Sequence, residues 1–242
     1  MPRTMTYGDH PSQTVRRWAP AGGAGRPAPV AVLLHGGWWR DRHDARLMEP
    51  LAEDLSAAGW DVWNVEYRRT GADGGGWPHT RDDVVSALDL LAETARREDG
   101  RLDTSRVVSI GHSAGGHLAL LTAADTLVTS VVALAPVTDL RRCAEAGLGE
   151  GATDVFLRPD ADPALYAASS PLHRVPHGVP QLVVHGDADD RVPVEHSRDY
   201  VAAARAAGDA VEYREAAGVD HFAVIDPGHA VWGVVRDHLA RS

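Results

Sequence analysis

Short runs of apolar, mostly β-branched residues recur along the chain, each followed by a stretch in which apolar residues return every three or four positions. The first run, 30–34, predicts a buried strand, and 46–58 predicts a helix that Gly59 ends. A second strand is expected at 61–67, then a glycine loop at 71–76. Val84, Val85, Leu88 and Leu91 mark one face of a helix over 80–97. The run 107–110 predicts a strand joined at once to a helix over 115–124, and 131–134 a further strand. Strands at 182–184 and 211–214 follow, each with a helix after it, the last over 227–240. Strands that are apolar at successive positions are buried on both faces, and strand–helix alternation places them in a mostly parallel sheet. The prediction is therefore an α/β fold in which 1–242 forms a single domain, a length such folds commonly reach. Residues 20–29, rich in Gly, Ala and Pro, read as a surface loop. Residues 136–180, with short helical pieces and many prolines, read as a small lid.

Charge narrows the function. The 34 Asp+Glu outweigh the 24 Lys+Arg, giving a formal charge of -10. Such a surface repels phosphate backbones and anionic lipid, so neither a nucleic-acid nor a membrane partner is expected. Every basic residue is an arginine, which rules out Schiff-base or lysine-base chemistry. The one cysteine, Cys143, excludes an intrachain disulfide and fits a reducing compartment. It lies in an arginine-rich, predicted helical stretch and is read as an inert thiol. Residues 1–17 hold no apolar run, and nothing approaches the roughly 18 apolar residues of a membrane span. A soluble cytoplasmic protein is expected. Thirteen histidines invite a metal, but no H-E-x-x-H or Cys–His cluster is present, so neither metal nor cofactor is expected.

Four segments carry the chemistry, each at the end of a predicted strand, where ligands bind in open α/β sheets. Gly111-His112-Ser113-Ala114-Gly115 follows one strand and opens a helix. A strand-to-helix turn this sharp strains the serine backbone and needs small neighbours, and it exposes the hydroxyl of Ser113 as a nucleophile. His35-Gly36-Gly37-Trp38-Trp39 ends the 30–34 strand. Its glycines let backbone N–H groups approach a developing oxyanion. Those of Gly37, Trp38 and Ala114 are the expected donors. Trp39 is assigned to the core, whereas Trp38, with His112, is a candidate substrate contact. A carboxylate that orients a histidine is needed next, and His185-Gly186-Asp187-Ala188-Asp189-Asp190-Arg191-Val192-Pro193 offers several. Adjacent side chains in an extended loop point to opposite sides, so Asp189 and Asp190 are not interchangeable. Spacing leaves Asp187 and Asp189 both open. Gly218-Val219-Asp220-His221-Phe222 supplies the histidine, His221, as the base. His35 and His185 precede glycines at strand ends and read as structural hydrogen-bonders, with His112 and His117 flanking the elbow.

Together these segments resemble the α/β-hydrolase superfamily, and within it the esterase and kynurenine-formamidase-like branch. Tyr7-Gly8-Asp9-His10-Pro11-Ser12-Gln13, Glu66-Tyr67-Arg68 and the continuation Gly116-His117-Leu118 extend the similarity over nearly the whole chain. The resemblance implies an α/β-hydrolase fold with a Ser–Asp–His triad in that chain order. In the family pattern H-G-x-x-D-x-x-V-P, matched by His185, Gly186, Asp189, Val192 and Pro193, the acid is Asp189. The chain departs from related esterases in having Trp38 where a third glycine is usual. It also lacks a large N-terminal cap, so the cleft is expected to be open.

The expected activity is hydrolysis of a small-molecule carboxylic ester, or an activated amide, through an acyl-enzyme. Three alternatives follow from the same residues: an arylformamidase acting on N-formylkynurenine, an aminoacyl exopeptidase, and a catalytically silent binding protein. An exopeptidase needs a carboxylate to grip a free amino group, for which Asp73, Glu145 and Asp154 are the candidates. Oligomeric state, monomer or homodimer, is left open.

Overall fold

The computed structural model describes residues 1–22 and 27–241. Two short strands open the chain, β1 (Arg3–Thr6) and β2 (Thr14–Trp18). Then come β3 (Ala28–Leu34), helix α1 (Glu49–Ala57), β4 (Asp61–Glu66), α2 (His79–Arg97), β5 (Leu102–His112), α3 (Ala114–Thr122) and β6 (Ser130–Leu134). Three short helices, α4 (Leu140–Glu145), α5 (Leu148–Phe156) and α6 (Pro163–Ser169), fill most of the segment assigned to a lid. The chain closes with β7 (Gln181–Gly186), α7 (Glu195–Ala206), β8 (Val211–Ala216) and α8 (Ala230–Arg241).

All eight strands join one sheet, ordered β1-β2-β4-β3-β5-β6-β7-β8, parallel from β4 to β8 and antiparallel at β1 and β2. The run of apolar residues in each central strand is explained by two separate cores. Val30, Val32 and Leu34 of β3 enter one, with Leu88 and Leu91 of α2, Leu118 of α3 and Tyr200 of α7. Ala31 and Leu33 enter the other, with Leu51 and Leu55 of α1 and Trp232 and Val235 of α8. Because side chains alternate along a strand, a sheet covered on both faces needs an apolar residue at every position. Cys143 lies buried in α4, and burial pushes its thiol pKa up. Among the described residues no helix is long and apolar enough to cross a membrane.

The predicted strands and helices are all present, with ends shifted by a few residues. Of the predicted loop at 20–29, residues 23–26 lie outside the described residues, and Ala28 and Pro29 already belong to β3. The two N-terminal strands are additions. In β2 only Val15 and Trp18 are buried, and much of its docking is ionic. Arg17 Nε and Nη2 donate to the two carboxylate oxygens of Asp61 at 2.8 and 2.9 Å, and its guanidinium also reaches Glu98 at 2.8 Å. The same group stacks over Trp63, 5.4 Å from the ring centre. A strand held in this way shows no apolar run.

Chain order and sheet order reverse at β3, which has β4 on one side and β5 on the other, with α1 and α2 on opposite faces. Such a reversal opens a crevice at the carboxyl ends of the strands. That is where the four predicted segments meet.

Candidate active site

The turn between β5 and α3 is as strained as its sequence implies. Ser113 has φ 55° and ψ -117°, a region that residues with a side chain rarely occupy. The crowding that enforces it is visible in its glycines. A Cβ at Gly111 would run into the carbonyl of Gly115, and one at Gly115 into that of Leu34. The strained serine is fixed by its own backbone: its N–H donates to Leu134 O at 2.8 Å, and its carbonyl accepts from His117 N–H at 3.1 Å. Strand β6 and helix α3 thus hold the turn from both ends.

The loop after β7 selects among the aspartates. Asp187 Oδ1 accepts the N–H of Gly218 at 2.6 Å and caps a turn, and Asp190 is exposed beside Arg191. Asp189 is the one that faces His221: its Oδ2 accepts the Nδ1–H of His221 at 2.6 Å. It also accepts the Nε2–H of His185 at 3.1 Å, while Oδ1 takes the backbone N–H of Arg191 and Val192 at 2.8 and 2.9 Å. His185 is in turn oriented by Ser197 Oγ at 2.7 Å from its Nδ1. Burial of the Asp189 side chain would raise its pKa. The hydrogen bonds from His185 and His221 outweigh that and hold the carboxyl well below the usual carboxylate range. His185 was read as structural; it also shares the acid, and its place four residues before Asp189 is the signal for that.

With Nδ1 engaged, His221 has Nε2 left for a second partner. Its backbone is tied too, since the Nε2–H of His112 donates to the His221 carbonyl at 2.9 Å and the two rings lie 4.6 Å apart. Burial, with the neighbouring His221, pushes the His112 pKa well below that of an ordinary imidazole. Ser113, His221 and His112 line one cavity of about 300 Å³ together with Gly37 and Trp38. Among the described residues no hydrogen bond joins the Ser113 hydroxyl to the imidazole.

The loop after β3 runs through positive φ at three successive residues: Gly37 at 121°, Trp38 at 55° and Trp39 at 57°. It is pinned by Thr70 N–H to Trp39 O at 2.7 Å and by Arg40 N–H to Gly37 O at 3.0 Å. Trp39 is fully buried and stacked on Phe156 with centroids 4.2 Å apart, so its assignment to the core stands. Trp38 borders the cavity and rests on Gly149 of α5, the point at which the 136–180 insert reaches the site. Within the described residues no acceptor takes the N–H of Gly37 or Trp38. Ala114, as the first residue of α3, likewise has none inside its helix. His35 is buried and structural: its ring stacks on Tyr67, and its Nε2 lies 3.1 Å from Glu66 Oε1. Asp73, Glu145 and Asp154 do not line the cavity; Asp73 is held by Ser12 and Arg69, and Glu145 faces Arg141. Pattern reading missed Arg40, Arg42 and Arg191, which all do.

Buried neutral histidines, His117 in α3 and His196 in α7, make stability depend on pH. Burial lowers the pKa of His117 and of His196 from 6.5 to about 4. Both are therefore neutral in the folded protein where the unfolded chain would take up a proton. Their contribution is fully present above pH 6.5 and is lost as pH falls towards 4. Thermal melts across that interval are expected to show Tm falling steadily with acidification; a flat Tm would contradict these burials.

Strand order, elbow and crevice define an α/β hydrolase. The chain belongs to the BD-FAE family, whose model matches residues 18–203. Esterase LipC of Mycobacterium tuberculosis (strain ATCC 25618 / H37Rv) is 30% identical over 246 residues, covering 90% of this chain and 59% of that protein. Esterase LipQ of the same strain is 30% identical over 217 residues, covering 81% and 51%. The chain thus spans between half and three-fifths of the length of these curated relatives. Among solved structures, the acetyl ester-xyloside bifunctional hydrolase from Caldicellulosiruptor lactoaceticus superposes with a TM-score of 0.83 at 19% identity, over 99% of this chain and 94% of that one. Esterase 2 of Thermogutta terrifontis, phosphoramylated by tabun, gives 0.82 at 21% identity over the same shares. At that identity the likeness concerns the fold.

Proposed function

We propose that this protein is a serine hydrolase that cleaves a carboxylic ester of a small molecule through an acyl-enzyme. The observation that carries the reading is the 2.6 Å bond from His221 Nδ1 to a buried Asp189, behind a cavity that also holds the strained Ser113. Fixing Nδ1 as the protonated nitrogen leaves a lone pair on Nε2. That nitrogen takes the Ser113 proton as Oγ attacks the ester carbonyl carbon. Such hydrogen bonds commonly tighten only when substrate is bound. The carbonyl π pair moves to oxygen, and the oxyanion is received by the N–H groups of Gly37, Trp38 and Ala114. Collapse breaks the bond to the alkoxide, which leaves with the proton held on His221. Water, deprotonated at the same Nε2, then releases the acid and restores Ser113. The positive end of α3 points the same way as these donors.

The two M. tuberculosis relatives are named as esterases, which supports ester over amide cleavage. An aminoacyl exopeptidase is disfavoured by the cavity, since no Asp or Glu among the described residues lines it. In this reading 136–180 serves as the lid, touching the site at Gly149, and the single buried cysteine suits a reducing cytoplasm.

The test is a panel of 4-nitrophenyl esters, N-formylkynurenine and aminoacyl 4-nitroanilides, with a fluorophosphonate probe alongside. Turnover of the esters and labelling at Ser113 are expected. Preferred turnover of the formamide or the anilide would reassign the substrate, and absence of labelling would point to a silent binding protein.

A further inference from the structure

The charged side chains that line the cavity beside Ser113 are cationic. Three guanidinium groups, Arg40, Arg42 and Arg191, line it, and no carboxylate among the described residues does, in a chain of formal charge -10. They come from two sides: Arg40 and Arg42 from the loop after β3, and Arg191 from the loop after β7 that also carries Asp189. The nearby acids are otherwise engaged. Asp189 is committed to His185 and His221, and Asp220 Oδ1 accepts the N–H groups of Phe222 and Ala223. Glu150 is the partner of both Arg40 and Arg42. Its Oε2 accepts Arg40 Nη1–H at 3.0 Å and an N–H of Arg42, and its carbonyl accepts Arg40 Nη2–H at 2.8 Å. Asp190 faces Arg191 at 3.3 Å. Two rim carboxylates therefore meet three guanidinium groups.

Both of those partners stand in solvent, with 69% of the Glu150 side chain and 76% of the Asp190 side chain exposed. Exposed pairs of this kind contribute little. A ligand carboxylate that enters the cavity can therefore displace them, since a planar guanidinium offers it two parallel donors and Arg40 has only 20% of its side chain exposed. Glu150 is also held in a left-handed backbone conformation, φ 58°, between Gly149 and Gly151. That turn places a carboxylate over the arginines at the cavity edge, where it competes for them.

Resting on the hydrolase reading above, we propose that the preferred substrates are esters carrying a carboxylate, such as half-esters of dicarboxylic acids, with the anion received by Arg40, Arg42 and Arg191. The cationic wall draws the anion in from an otherwise repelling surface, and its field weakens with salt.

Three 4-nitrophenyl esters of one chain length test this: hexanoate, the half-ester of adipic acid, and 6-aminohexanoate. For the wild type, kcat/KM is expected to be highest for the anionic ester and lowest for the cationic one, the gap narrowing in 0.5 M salt (about a twentyfold rise over low-salt buffer). Arg42→Gln and Arg191→Gln are each expected to lower the anionic-to-neutral ratio about two- to fivefold, the scale of one partly exposed ion pair. Glu150→Gln removes the competitor and is expected to raise that ratio. A role in holding the loops alone would not move the ratio in opposite directions for the two kinds of variant. Equal or lower kcat/KM for the anionic ester, or a ratio that none of the three variants changes, overturns the proposal. Calorimetric binding of monomethyl adipate against methyl hexanoate to Ser113→Ala protein separates this from hydrolysis itself. Tighter binding of the anion without turnover in the wild type would remove the hydrolase reading, and the substrate preference with it, and keep only the anion site; equal binding would remove that site.

Discussion

Replacing Ser113 by alanine is expected to lower kcat for a 4-nitrophenyl ester by at least about 10⁴-fold while the melting temperature stays the same. The loss is large because, among the described residues that line the cavity, Ser113 alone carries a hydroxyl or thiol; the other polar groups there are guanidiniums, imidazoles and backbone donors. What remains is the oxyanion donors and substrate binding, which can still favour attack by water. The fold should tolerate the change. Among the described residues Ser113 Oγ takes part in no hydrogen bond, and the backbone bonds to Leu134 and His117 persist with any side chain. The strain at φ 55° arises from the Cβ, which both residues carry, so the substitution leaves it unchanged. Measured together, kcat, fluorophosphonate labelling and Tm distinguish a lost nucleophile from a lost fold. Activity above a few per cent of wild type with labelling retained would assign the chemistry to another residue.

The sheet was legible because its strands are buried on both faces, so that 30–34, 131–134 and 182–184 are apolar throughout and 107–110 at every position but Ser109. The elbow and the β3 loop were legible because backbone crowding restricts which residues can stand there, and that restriction shows in the sequence itself. Strands β1 and β2 escaped, since Arg17 docks β2 through Asp61 and Glu98, and an ion pair between distant residues leaves no periodic trace. The choice between Asp187 and Asp189 was likewise invisible to spacing. Both lie at the end of β7, and only the turn at 187–192 sends one to Gly218 and the other to His221. The three arginines gave no pattern at all: Arg40 and Arg42 are over a hundred residues from Arg191, and their common cavity exists only once β3 and β7 lie in one sheet.

Asp189→Asn is the sharper probe of the site's electrostatics. The substitution preserves shape and removes charge, and it replaces one acceptor by an NH₂ group that cannot receive an imidazole N–H. With four donors now converging on Asp189, from His185, His221, Arg191 and Val192, an amide can satisfy at most the side facing its oxygen. The two backbone donors cannot rearrange, so the amide oxygen is expected to stay on them and turn its NH₂ towards His221. That forces the proton of His221 from Nδ1 to Nε2, and the ring then offers Ser113 a donor where a base is needed. A fall in kcat of about 10⁴-fold follows, close to 5.5 kcal/mol of transition-state stabilisation. Asp190→Asn is expected to change kcat less than threefold, since its carboxylate is exposed and meets only Arg191. The same amide in a Ser113→Ala background should cost little more, because an orienting carboxylate has nothing to orient once the nucleophile is gone. Additive losses in that double variant, or a larger loss at Asp190 than at Asp189, would break the link from Asp189 through His221 to Ser113.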